Sequence, residues 1–143
     1  MRTVIPVSIA LGIGWDVIAV RLMGGKFVDA FSPAWLVSGA LAGIAAGLFT
    51  IWSRRRREGR ESFFYIVATY YLGIFVYWIS IIVIERAIWC FQYGGWTDTG
   101  LRDHLKMIQI FLVYGTYPFG LMLIPLSLVS RNLLWKIYTR NAA

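Results

Sequence analysis

The sequence predicts an all-α integral membrane protein, a four-transmembrane-helix bundle with cytoplasmic N- and C-termini and a short C-terminal interfacial helix, in one transmembrane domain over residues 1–143. Three observations predict it. Of the 143 residues, 59% are hydrophobic and 15% are charged, where an ordinary soluble chain carries about 25% charge. Four long apolar stretches recur: Val4–Met23, Pro33–Trp52, Phe63 to about Ile84, and Met107–Val129. The basic residues outside those stretches crowd onto alternate connectors.

Each apolar stretch has about 20 residues, which at a rise of ~1.5 Å per residue matches a hydrocarbon core ~30 Å thick. Helices are expected at about 4–23, 33–52, 63–91 and 99–129. The opening Met1-Arg2-Thr3-Val4-Ile5-Pro6 starts as a secretory signal does, but Asp16 interrupts the apolar run and no small-x-small cleavage site follows; the segment reads as a retained first helix. Ser32-Pro33 reads as the N-cap and first residue of the second helix. Asp98 or Thr99 is placed to cap the fourth. In the tail 131–140, Asn132, Lys136 and Arg140 share one helical stripe and Leu133, Leu134, Ile137 and Tyr138 another. That pattern suits either a short helix on the inner leaflet or a continuation of the fourth helix.

Charge sets the orientation. With a cytoplasmic N-terminus, that side carries Arg2, Arg54, Arg55, Arg56, Arg57, Arg60, Arg131, Lys136 and Arg140 against Glu58 and Glu61 alone. The outer connectors carry Lys26, Arg102 and Lys106, balanced by Asp29, Asp98 and Asp103. The entire formal charge of +7 therefore lies inside, as the positive-inside rule requires of a multi-pass protein of a cell (inner or plasma) membrane. The aromatic residues agree: Trp35, Trp89, Tyr93 and Trp96 fall at the outer boundary, and Trp52, Phe63, Tyr65, Trp135 and Tyr138 at the inner one.

Several residues stand out as functional candidates. Gly39, Gly43 and Gly47 recur every fourth residue along the second helix, with Ser38, Ala42 and Ala46 on the adjoining stripe. Small residues on one face let two backbones approach closely in lipid, against either a helix of the same chain or a second subunit. In the fourth helix, Pro118 and Pro125 each strip the carbonyl four residues back of its amide partner, which predicts a kink. Gln109, Tyr114, Thr116 and Tyr117 lie nearby as polar groups for a site framed by such a break.

Asp16 is the most informative residue. It lies ~18 Å along the first helix from Val4, past the bilayer midplane, where an isolated carboxylate costs at least ~2.5 kcal/mol. Arg21 follows five residues later, ~140° round the helix and poorly placed to neutralise it. Glu85 and Arg86 fall at similar outer depth on the third helix. Cross-helix pairs are therefore expected, Asp16 with Arg86 and Arg21 with Glu85. Such a layer serves either as an ionic clasp fixing helix register or as a proton- or cation-responsive carboxylate.

The run Trp15-Asp16-Val17-Ile18-Ala19 resembles the first helix of the small multidrug resistance exporters, with its membrane-embedded acid followed by a Val and small-residue pattern. The resemblance covers about ten residues, and it extends to a four-helix plan. Those exporters have Glu at that position and are often nearly balanced in loop charge. The bias of nine basic residues against three excludes their dual insertion here.

Arg54, Arg55, Arg56, Arg57 and Arg60 make a short basic loop at the membrane face, suited to anionic lipid headgroups or an acidic partner. Nucleic-acid binding would want a larger folded basic surface. His104 is the sole histidine and Cys90 the sole cysteine, so there is no metal set, haem-ligating pair or disulfide, and no cofactor is expected. No triad, carboxylate dyad or phosphate loop appears, which argues against an enzyme. The leading expectation is a non-enzymatic membrane subunit that assembles by helix packing into a homo- or hetero-oligomeric complex. The alternative is an ion-coupled small transporter or oligomeric channel using Asp16, and a membrane effector of a defence system would look similar.

Overall fold

A computed structural model describes residues 3–22, 32–94 and 119–141, with isolated positions at 105, 106, 109 and 113. They form helices α1 (Val4–Leu22), α2 (Pro33–Arg56), α3 (Phe63–Tyr93) and α4 (Phe119–Arg140). The first three are long and apolar enough to cross a membrane. Two of them outrun the apolar stretches: α2 carries on through Arg54, Arg55 and Arg56, and α3 reaches Tyr93. Helix propensity continues where hydropathy stops, because straight-chain arginine is a good helix former.

Local signals explain the ends. Ser32 takes the extended N-cap backbone and Pro33 the first helical position, and the Leu36 amide donates to the Ser32 carbonyl at 3.0 Å. The Ser32 hydroxyl itself makes no capping bond. After Arg56 the chain reverses through Glu58 and Gly59, both at positive φ, and the Gly59 amide returns to the Arg54 carbonyl at 2.9 Å. Gly94, at φ 70°, ends α3 in the left-handed conformation.

The packing has α2 at its centre, touching α1, α3 and α4. The glycine face of α2 is spent on α1, in antiparallel register: Ser8 lies opposite Gly47, Gly12 opposite Gly43 and Asp16 opposite Gly39. A Cβ added at Gly12 would overlap the Gly39 carbonyl oxygen and sit 2.8 Å from Gly43 Cα, and one at Gly43 would overlap the Ser8 carbonyl oxygen. The backbones are in contact, so these glycines are sterically required. The adjoining Ala42 turns instead to α3, where it packs with Tyr77 and Ile81 beneath Trp35 and Trp78. α1 and α3 make no backbone contact among the described residues, and side chains bridge the space between them.

The fourth helix departs from expectation. Of the span expected at Met107–Val129, positions 107–118 lie outside the described residues except for Gln109 and Val113. From Phe119 the helix runs unbroken past Pro125, which is exposed, and on to Arg140. Residues 131–140 are thus the second half of α4 and not a separate interfacial helix. The reason lies in what the apolar stripe touches. Leu134 is buried with Val4 and Ile51, and Tyr138 packs on the same cluster. Arg131, at the expected break, is 2% exposed and bonded to three other segments. Pro118 and its expected kink, with Tyr114, Thr116, Tyr117 and His104, lie outside the described residues.

Candidate functional site, an acid-bearing cavity within the bundle

The space between α1 and α3 is a cavity of about 220 Å³ whose walls are almost wholly apolar. α2 and α4 also line it, through residues such as Ala46 and Leu123, and it is partly open. Two polar stations line it. Asp16 and Tyr77 form one, and Arg131 with Thr69 the other. Thr69 and Tyr77 are eight residues apart on α3, so the stations are separated by ~12 Å along the bundle.

Asp16 is delivered by the seam. It follows Ser8 and Gly12 on one α1 stripe and packs over Gly39, where an added Cβ would come within 3.1 Å of the Asp16 Cβ. The residue is 2% exposed. The Tyr77 hydroxyl donates a hydrogen bond to Oδ1, while Oδ2 is buried without a hydrogen-bond partner among the described residues. An aromatic group surrounds the pair: Trp35 stands edge-on to Tyr77 with ring centroids 6.3 Å apart, and Trp78 at 5.6 Å. On the opposite wall Trp15 lies 6.4 Å from Tyr70 and its indole Nε1 donates to Ser130 Oγ of α4 at 3.2 Å.

The second station is closed on itself. Arg131 donates to both Glu61 oxygens at 3.2–3.3 Å, to the Tyr65 carbonyl at 3.2 Å, to Ser53 Oγ at 3.0 Å and to Thr69 Oγ1. All three guanidinium nitrogens are engaged. Arg54, also buried, donates to the same Glu61 and to Asn132. One carboxylate from the α2–α3 turn thus holds two arginines and ties together α2, α3 and α4. Fully hydrogen-bonded charge pairs of this kind are the form in which a buried charge is tolerated.

These contacts correct two expectations. Asp16 does not pair with Arg86. Its hydrogen-bonding partner is Tyr77, and Arg86 lies nine residues further along α3, ~13 Å beyond. Arg21, at the end of α1, and Glu85, two turns before the end of α3, are both exposed. The four residues therefore do not close into one layer around Asp16. The basic run is also not uniform: Arg54 turns inward, whereas Arg55, Arg56, Arg57 and Arg60 are exposed. Among the described residues no group of three or more His, Cys, Asp or Glu gathers.

Sequence reasoning missed Tyr77, Glu61 and the α1 half of the seam. Ser8, Gly12 and Asp16 at four-residue spacing were a readable small-residue signal for the last of these. Tyr77 carried none, since nothing in a run of eight aromatic-rich positions marks the one that faces α1. Compared with known protein families, curated proteins and solved structures, the chain matches none.

Proposed function

We propose that the chain is a non-enzymatic, multi-pass cell-membrane protein that takes an ion or small solute at Asp16 within its bundle, as an ion-coupled small transporter does. The observation that carries this reading is Asp16, which lines an apolar cavity and whose Oδ2 is buried with no hydrogen-bond partner among the described residues. A carboxyl that served only to clasp two helices would have both oxygens engaged, because an unmet buried acceptor costs ~1–3 kcal/mol. Intramembrane carboxylates facing an internal space are the usual stations of ion and proton pathways. In this reading both termini and the arginine loop lie in the cytoplasm, supported by the one-sided charge.

The second reading, a subunit built to dock in a larger homo- or hetero-oligomer, draws on the glycine face, the outer charged residues and the cytoplasmic basic rim. The glycine face is occupied by α1.

The test is flux of protons and monovalent cations in vesicles containing the purified protein. Asp16→Asn is expected to reduce flux by roughly tenfold or more, the scale of one charge-assisted contact, with unchanged particle mass and thermal midpoint. Tyr77→Phe, which frees Oδ1, is expected to alter the pH dependence of flux and leave its capacity in place. Undiminished flux in Asp16→Asn, or no protein-dependent flux at all, would refute the transport reading. Loss of the fold in Asp16→Asn would return Asp16 to a purely structural role.

A further inference from the structure

The arginine run is divided by the helix it ends. Successive residues of an α-helix turn by ~100°, so Arg54 enters the bundle, Arg57 stands 5.8 Å over the Tyr65 ring, and Arg55 and Arg56 are left on a face of their own. That face is a shallow, open recess of about 450 Å³ formed by Leu48, Ile51, Trp52, Arg55 and Arg56. The five residues follow one helical stripe, and their order along the axis is apolar, then aromatic, then cationic. Leu48 and Trp52 are each nearly half exposed, at 44% and 45%. The Arg56 guanidinium lies 4.7 Å over the Trp52 indole, which orients it without using its hydrogen-bond donors. Neither Arg55 nor Arg56 has a carboxylate partner among the described residues.

We propose that this recess is a binding site for one anionic phospholipid, its phosphate held by Arg55 and Arg56 and the first segment of an acyl chain lying on Leu48 past Trp52, with Ile51 buried beneath them. The match is one of vertical order and charge. From Leu48 to Arg55 the helix rises ~10 Å, the distance over which a lipid passes from acyl chain through its ester region to its headgroup. Trp52 sits at the depth where indole rings favour the interface. A guanidinium meets a phosphate through paired donors, and two unpaired guanidiniums at adjacent positions favour an anionic headgroup over a zwitterionic one whose own ammonium competes. The site is independent of the Asp16 cavity, which α1 and α3 form on other faces of the bundle.

The experiment is lipid retention by the full-length protein in mild detergent, read by native mass spectrometry during titration with phosphatidylglycerol or phosphatidylcholine of the same acyl chains. Phosphatidylglycerol is expected to be retained as a single tight equivalent and phosphatidylcholine to be weaker. Removing both groove arginines (Arg55→Gln with Arg56→Gln) is expected to weaken phosphatidylglycerol about thirty-fold, from about fivefold per basic residue at the membrane face. Removing the same charge outside the groove (Arg57→Gln with Arg60→Gln) is expected to change it by no more than a few-fold. Leu48→Gln keeps both arginines and is expected to weaken the lipid through the acyl contact alone. Equal weakening by the two double variants would mean diffuse attraction of the whole loop and would overturn the site. So would displacement of the lipid by millimolar inorganic phosphate, which would identify a bare anion site, or equal retention of both lipids. Thermal midpoints of the variants, all at exposed positions, separate these results from misfolding.

Discussion

Gly12→Ala is expected to unseat α1 from α2 and to cost about 3 kcal/mol, the upper end of the range for overpacking a close-packed site. The added methyl group would overlap the Gly39 carbonyl oxygen and approach Gly43 Cα to 2.8 Å. Both are backbone atoms, so no side chain can swing away and the helices must separate. Opening the seam removes the van der Waals contact that holds two helices together in lipid. It also moves Asp16, which rides the same stripe one turn on. Gly14→Ala is the matched control: nothing lies within 4 Å of its added Cβ, and alanine is the better helix former. Thermal unfolding in detergent, followed by tryptophan fluorescence, should show a lowered midpoint for Gly12→Ala and an unchanged or slightly raised one for Gly14→Ala. Equal midpoints would mean that the two helices do not meet along this face.

Glu61→Ala is expected to be the most damaging substitution of a charged residue, at about 3–5 kcal/mol, the cost of leaving a buried ion without its partner. Two guanidiniums lose their shared carboxylate at once, and both are buried, Arg54 at 5% and Arg131 at 2% exposure. Arg54→Ala should be milder, because Glu61 then still satisfies Arg131. The informative comparison is the double substitution. Adding Arg131→Leu to Glu61→Ala removes one of the stranded charges, so the pair should be more stable than Glu61→Ala alone, a positive coupling that a double-mutant cycle reads directly. Additive losses would show that the carboxylate and the Arg131 guanidinium act independently.

Much of the fold was legible because hydropathy and helix breakers are local properties. Ser32-Pro33 marks the start of α2, and the arginine turn separates α2 from α3. The glycine ladder announced a close approach, and its partner was encoded in Ser8, Gly12 and Asp16. Other features depend on rotation about helix axes and on which helix neighbours which, and neither is written in any one segment. Pairing charges at a common depth matches Asp16 to Arg86. The bundle instead turns the hydroxyl of Tyr77 to it, in a stretch where Tyr70, Tyr71, Tyr77 and Trp78 look interchangeable. Glu61 read as a stray acid in a basic loop, and only the return of α4 shows that it holds Arg131. The tail misled for a related reason: an amphipathic stripe says that one side is covered, and the cover proved to be Val4 and Ile51.

The seam between α1 and α2 bears on the order in which the molecule is built. Its backbone-to-backbone contacts join neighbouring helices within the first 56 residues, so this close approach can form before α3 or α4 is synthesised, whereas the side-chain contacts of Asp16, Trp15, Val4 and Ile51 wait for those helices. The lock at Glu61 cannot close until Arg131, near the far end, has been made. Assembly thus has an early step set by shape and a late step set by charge, and a chain truncated after Arg56 should still bring its two helices together.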